Sequence, residues 1–176
     1  GGQCSKSSQM GSVQQFSAAG KPTKKKDLPA IAMSYGNVYV AHIAMGADRN
    51  QCLKAFLEAE AHKGPSVIIA YAPCISHGVK GGLRGVQAVE KQAVAAGYWK
   101  LFRYDPNRIE KGLNPFQLDS KEPSESYRDF LMKEVRYNSL MRAFPERAEK
   151  LFTQAEKNSL IEYHQLKAKA DAPLVQ

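Results

Sequence analysis

Cys74 and His77 are the first side chains here whose types and spacing could do chemistry. A thiolate beside an imidazole is the arrangement of an activated cysteine nucleophile. A loop thiol is equally a ligand for iron–sulfur iron. A cysteine leaving an apolar strand also serves as a small buried hydrophobe. Three residues of separation on a glycine-bearing loop do not choose among these, and all three readings stand at this point. Gly78, Gly81, Gly82 and Gly85 follow. Their amides could hold an anion ahead of a helix, but the spacing is neither a Walker loop nor a dinucleotide fingerprint, and a tight turn explains it. Trp99, Phe102 and Tyr104 interleaved with Lys100 and Arg103 could stack bases; a half-buried strand writes the same pattern. His42 sits in an apolar run, where a satisfied core histidine is the default. His62 and His164 fall at or near helix ends, where a cation is favoured.

The elements that must position the Cys74 thiol are written around it. Val67, Ile68 and Ile69 are consecutive β-branched residues with no polar alternation, the pattern of a strand in the middle of a parallel sheet. Pro73 stops the strand. Cys74 is therefore expected on the loop leaving the carboxyl end of a strand, where α/β sheets place ligands. Residues 37–44 read as a second buried strand. Asp48 and Gln51 form a capping box for a helix running to about His62. Its stripe of Leu53, Phe56, Leu57 and Ala61 is expected to face inward, leaving Lys54, Glu58 and Lys63 outside. Strand, helix and strand with short connections make a βαβ unit.

The rest of the chain is punctuated by glycine and proline. Residues 1–27 read as a surface loop with a hint of helix over Val13 to Ala19. Asp27 and Pro29 start a short helix ending near Gly36. Val86, Val89, Ala93, Val94 and Ala96 pattern a helix to Gly97, and Trp99 to Tyr104 a third strand. Residues 105–123 are a loop with a short strand possible at Phe116 to Leu118. Ser124 or Ser126 caps a long helix with Tyr127, Phe130, Leu131, Val135 and Met141 on one face. Pro145 opens another carrying Ala148, Leu151, Phe152, Ala155 and Tyr163, and Ala168 to Gln176 reads as a frayed tail. The expected organisation is a loop region at 1–27, the main α/β part at 28–123, and terminal helices with a tail at 124–176.

Composition bounds the function. The chain has 176 residues, 43% hydrophobic and 24% charged, so it can build a core. No apolar run approaches the roughly 20 residues that span a bilayer. Cys4, Cys52 and Cys74 are an odd number without close spacing. That argues for a reducing compartment, and against a self-contained four-cysteine metal site. The net charge of +8 is densest at Lys24-Lys25-Lys26 and suits acidic partners or an ordinary solvated surface. The chain opens Gly-Gly-Gln-Cys rather than with Met, and a piece of a longer protein is expected.

Longer runs carry a resemblance. Ala32-Met33-Ser34-Tyr35-Gly36, Ala44-Met45-Gly46-Ala47-Asp48, Ile69-Ala70-Tyr71-Ala72-Pro73-Cys74-Ile75 and the stretch from Asn114 to Pro123 resemble the pyruvate:ferredoxin (or flavodoxin) oxidoreductases. So do Ala96-Gly97-Tyr98-Trp99 and Glu134-Val135-Arg136-Tyr137. The resemblance implies the C-terminal part of a thiamine-diphosphate-binding domain, an α/β parallel-sheet fold with a C-terminal helical segment. It implies oxidative decarboxylation of pyruvate with coenzyme A to acetyl-CoA and carbon dioxide. Electrons would leave through 4Fe-4S clusters to ferredoxin or flavodoxin. In the family the cysteine of the Ala-Pro-Cys-Ile motif ligates the cluster nearest thiamine, which carries cofactor and metal binding onto Cys74. The other ligands and the Mg²⁺ and diphosphate motif lie upstream, so no catalytic residue is assigned and this chain alone is expected to be inactive. Cys74 would sit on a rigid carrier with little water around it, and His77 would support it or pack. Ser76 stands where the family usually has Asn, and Cys4 and Cys52 receive no role. A homodimer when full length is implied, in the cytoplasm or a hydrogenosome-type organelle, with neither nucleic acid nor membrane as partner. A Cys74–His77 enzyme and a basic non-catalytic binding module are the competing readings.

Overall fold

The computed structural model describes residues 2–74, 78–79 and 81–173. It contains α1 (Leu28–Met33), β1 (Tyr39–Ile43), α2 (Arg49–Ala61), β2 (Ser66–Ala70), α3 (Val86–Ala95), β3 (Phe102–Tyr104), β4 (Phe116–Leu118), α4 (Tyr127–Met132), α5 (Val135–Ala143) and α6 (Pro145–Asp171). The fold is α/β, with helices at the C-terminus. The βαβ unit read from the sequence is present: β1 and β2 run parallel, with Tyr39 opposite Ser66 and Ile43 opposite Ala70. No helix among the described residues is long and apolar enough to cross a membrane.

The sheet departs from the all-parallel expectation. Its order is β2-β1-β3-β4, and both β1–β3 and β3–β4 pair antiparallel. The central strand is β1, not β2. β1 alternates sides: Tyr39, Ala41 and Ile43 pack on Ala55 of α2, while Val40 joins Phe102, Tyr104 and Phe116 against Ala32 and Met33 of α1. β2 is an edge strand, exposed at both ends and half-buried between. Its unbroken apolar run signals two covered faces, but only one of its edges is paired among the described residues.

Four further expectations change. The segment Val13 to Ala19 is no helix but a set of turns and isolated bridges, with Phe16 at φ 66°. The long helix after Ser126 is two helices broken at Lys133–Glu134, where Glu134 takes an extended ψ of 130° and its side chain is buried. Val135 consequently faces out. The expected fraying from Ala168 does not begin there, because α6 runs to Asp171. Asn114 Nδ2 donates to the carbonyls of Lys169 and Ala170 at 2.8 and 3.0 Å, and so satisfies groups a helix end leaves open.

The fourth change is the orientation of α2. Asp48 caps it as read, accepting from Gln51 N at 2.9 Å. Yet Leu53, Phe56 and Leu57 point outward, and Gln51, Cys52, Ala55 and Glu58 point in. The reason is an ion network beneath the helix. Arg103 of β3, 6% exposed at its side chain, donates two bonds of 2.8 Å to Asp119. Its third nitrogen reaches both Glu58 oxygens at 2.6 and 2.9 Å. Tyr39 Oη donates to Glu58 at 2.9 Å, and Gln51 Nε2 to Asp119 at 3.0 Å. A buried guanidinium left without carboxylates would cost several kcal/mol, so the charges fix which side of α2 faces the sheet.

Residues 2–27 wrap onto the C-terminal helices. Val13 N donates to Arg136 O at 2.8 Å, and Arg147 Nε to Ala19 O at 2.7 Å. Lys21 is buried, and its ammonium donates to three backbone carbonyls, of Lys6, Ser8 and Lys24, at 3.1, 2.6 and 3.3 Å. One side chain thereby closes the loop on itself.

Candidate functional site

β2 ends at Ala70, and Tyr71 N still reaches Ile43 O at 2.9 Å. The same carbonyl accepts Trp99 Nε1 at 3.0 Å. The carboxyl ends of β1 and β2 are thus pinned together, and Cys74 leaves just beyond them, as the sequence places it. The Cys74 side chain lies on the wall of a cavity of about 350 Å³. Lys25, Tyr71, Glu134 and Arg136 share that wall with residues of the 2–9 segment, Ser5, Ser7 and Ser8 among them.

A hydrogen-bonded chain runs along the cavity wall and leaves it at Tyr137. Tyr71 Oη donates to Glu134 Oε1 at 3.1 Å, and Arg136 Nε donates to Glu134 Oε2 at 2.5 Å. Arg136 Nη2 donates to Tyr98 Oη at 2.9 Å, which lies 2.7 Å from Tyr137 Oη. Burial, with the Glu134 charge added, raises the Tyr71 phenol above its usual range, and burial pushes Tyr98 up to about 12. Both are therefore neutral hydroxyls at physiological pH. Burial lowers the Lys25 ammonium, helped by its neighbours Lys21 and Arg136.

The chemistry this arrangement offers is limited and specific. A soft sulfur stands in a wall that also carries the cations Lys25 and Arg136, a donor set that fits one corner of an anionic iron–sulfur cluster. Among the described residues no three His, Cys, Asp or Glu come together as a metal site. Cys74 would be one ligand, and the remaining ligands would come from outside this segment. No Mg²⁺ site is assembled among the described residues either. Cys74 is exposed rather than shielded from water as expected; burial of a loop thiol depends on what packs over it, not on its own strand. His77 and Ser76 lie outside the described residues, so the thiol–imidazole pair receives no geometry.

The other candidates resolve into packing. Cys4 sits in the amino-terminal loop, and Cys52 under α2 beside Ile68. His42 stacks 3.7 Å from the Trp99 ring and 4.9 Å from Phe102, with Nδ1 2.7 Å from Lys100 O. Burial pushes its pKa down to about 3, the core histidine expected. Trp99, Lys100, Phe102, Arg103 and Tyr104 are all buried and present nothing on which bases could stack. Lys24, Lys25 and Lys26 border a second cavity of about 290 Å³ between α6 and the sheet. Glu134 and Arg136 are the site residues that reasoning from the residues missed. They lie in the run Glu134-Val135-Arg136-Tyr137 that carries the resemblance, but their chemistry was signalled only by a carboxylate and a guanidinium two apart, which a continuous helix would separate.

No protein-family model matches the chain. Curated relatives do. The chain is 54% identical over 165 residues to the pyruvate-flavodoxin oxidoreductase of Klebsiella pneumoniae, covering 94% of this chain and 14% of the relative. It is 54% identical over 171 residues to the pyruvate:ferredoxin oxidoreductase of Moorella thermoacetica, covering 97% and 14%. The mitochondrial pyruvate dehydrogenase (NADP(+)) of Euglena gracilis matches at 43% over 173 residues, covering 98% and 10%. An α/β fold with a thiol just past its strand ends thus coincides with relatives that are oxidoreductases by name. Over the shared segment the chain belongs to the pyruvate-flavodoxin/pyruvate:ferredoxin oxidoreductase family. It spans about 14% of the length of those two relatives.

Proposed function

We propose that this chain works as part of a pyruvate:flavodoxin or pyruvate:ferredoxin oxidoreductase. The whole enzyme would convert pyruvate and coenzyme A to acetyl-CoA and carbon dioxide and pass two electrons to flavodoxin or ferredoxin. The observation that carries this reading is the 54% identity over nearly the whole chain to proteins named for that activity. Thiamine diphosphate with Mg²⁺ supplies carbanion stabilisation in such an enzyme, and 4Fe-4S clusters take the electrons. The part of this chain would be to carry one cluster ligand, the Cys74 sulfur. Lys25 and Arg136 would balance anionic charge beside it, and the Tyr71–Glu134–Arg136 hydrogen bonds would hold the loop stem in place. As a segment the chain contributes no complete active site and turns over no pyruvate by itself.

The test is Cys74→Ser in the complete enzyme, reading iron per chain beside carrier reduction. Serine offers a hard, poorly ionised oxygen in place of a soft thiolate. Lowered iron with pyruvate-dependent carrier reduction lost supports the assignment. Full iron and normal carrier reduction remove Cys74 from electron transfer. Full iron with the chemical step lost would instead make Cys74 a nucleophile.

A further inference from the structure

Helix α2 has its apolar residues on the wrong side for a protein that ends at this surface. Leu53, Phe56 and Leu57, at spacings of three and four, are 61%, 53% and 58% exposed. They form one stripe on the face away from the sheet. The inner face holds Gln51, Ala55 and Glu58, locked there by Arg103 and Tyr39. The helix cannot roll to bury its leucines without stripping Arg103 of a carboxylate. A three-residue apolar stripe held outward by buried ion pairs is the mark of an interface.

A second observation adjoins it. The strand that α2 packs beside, β2, has no strand partner on its outer edge among the described residues. Its sequence Ser-Val-Ile-Ile-Ala carries none of the lysines, prolines or bulges that blunt an exposed edge. The opposite edge, β4, is only three residues long and lies under α6. On this flank the outward face of α2 and the outer edge of β2 are thus both uncovered among the described residues.

We propose that this flank is covered by an apolar element from another part of the same polypeptide, seated on Leu53, Phe56 and Leu57. The inference rests on the reading of the chain as a segment of the larger oxidoreductase. That reading leaves most of the polypeptide to supply the cover, since the segment spans 14% of each relative's length. A tethered element acts at an effective concentration in the millimolar range, which favours it over a second copy. The occupant presents leucine-, isoleucine- or phenylalanine-type side chains to α2, because an interface with an apolar centre excludes unpaired charge there.

The experiment places a photoreactive benzoyl-phenylalanine at position 56 of the full-length enzyme, a ring for a ring, with Leu53 as an independent second site. Irradiation should give an adduct of single-chain mass joining position 56 to a peptide outside residues 1–176. A two-chain adduct at either position, an adduct confined to residues 1–176, or none at either position overturns the proposal. Pyruvate-dependent carrier reduction is measured on the unmodified enzyme in parallel. Its absence beside the expected adduct would overturn the proposed activity and leave the docking face standing.

Discussion

Tyr71 and Glu134, 63 residues apart, meet through a 3.1 Å hydrogen bond, and Val135 N binds Gly78 O at 2.9 Å. The chain entering the Cys74 loop and the chain leaving it are therefore tied to the same turn, the break between α4 and α5. That break is what a continuous helix would have abolished.

Gly78 is the tightest point of the tie. It sits at φ 73°, and an added Cβ would lie 2.4 Å from Val135 Cβ. Gly78→Ala should destabilise the chain by more than about 1 kcal/mol from backbone strain alone, with the overlap added. Pairing it with Val135→Ala should recover only the overlap with the two Cγ atoms, leaving the Cβ contact and the strain. Urea unfolding of the three variants checks this, and a Gly78→Ala midpoint equal to wild type would refute it.

Replacing Arg103 by Met should cost about 2–4 kcal/mol, because Glu58 and Asp119, half-buried carboxylates, would be left without their partner. Arg103→Lys should recover only part, since a lysine cannot make the two-pronged contact with Asp119. Denaturant titration is the measurement. A loss below about 1 kcal/mol for Arg103→Met would mean that the ion network does not set the facing of α2.

Lys21→Met should release the amino-terminal loop. Three carbonyls lose one donor, at about 1–3 kcal/mol for the buried groups left unsatisfied. Limited proteolysis should then cut within residues 2–26 faster than in wild type, while the sheet stays resistant. Equal cutting rates would show that the ammonium is dispensable.

His42 makes stability depend on pH in a stated direction. Its folded pKa of about 3 lies below the unfolded value near 6.5. The unfolded chain therefore binds the extra proton first as pH falls. The contribution is fully present above about 6.5 and is lost progressively down to about 3, at up to about 1.4 kcal/mol per pH unit. His42→Phe keeps an aromatic in the stack and should flatten this part of the profile. An unchanged slope between pH 6 and 4 would assign the dependence to other groups.

The path from sequence to structure was clear where the signals were local. The Asp27 and Asp48 caps, Pro145 opening α6 and the parallel β1–β2 pair around α2 all follow from residues a few positions apart. The Cys74 position follows from Pro73 and the strand before it. The failures are long-range. Which face of α2 is buried depends on Arg103 and Asp119, far along the chain, and hydrophobic periodicity cannot register an ion pair that overrules it. The break at Glu134 depends on Tyr71 and Arg136. The edge position of β2 depends on which strands are present to pair with it, not on its own apolar run.

Helix α6, about 40 Å long at 1.5 Å per residue over its 27 residues, binds the amino-terminal loop at one end through Arg147 and Ala19, 128 residues apart. During synthesis the loop leaves the ribosome long before that partner exists. At about 5–20 residues per second it waits roughly 6–26 s without its anchor. Within this segment the loop is thus made before the helix that anchors it, and the folding order of the region runs against its order of translation.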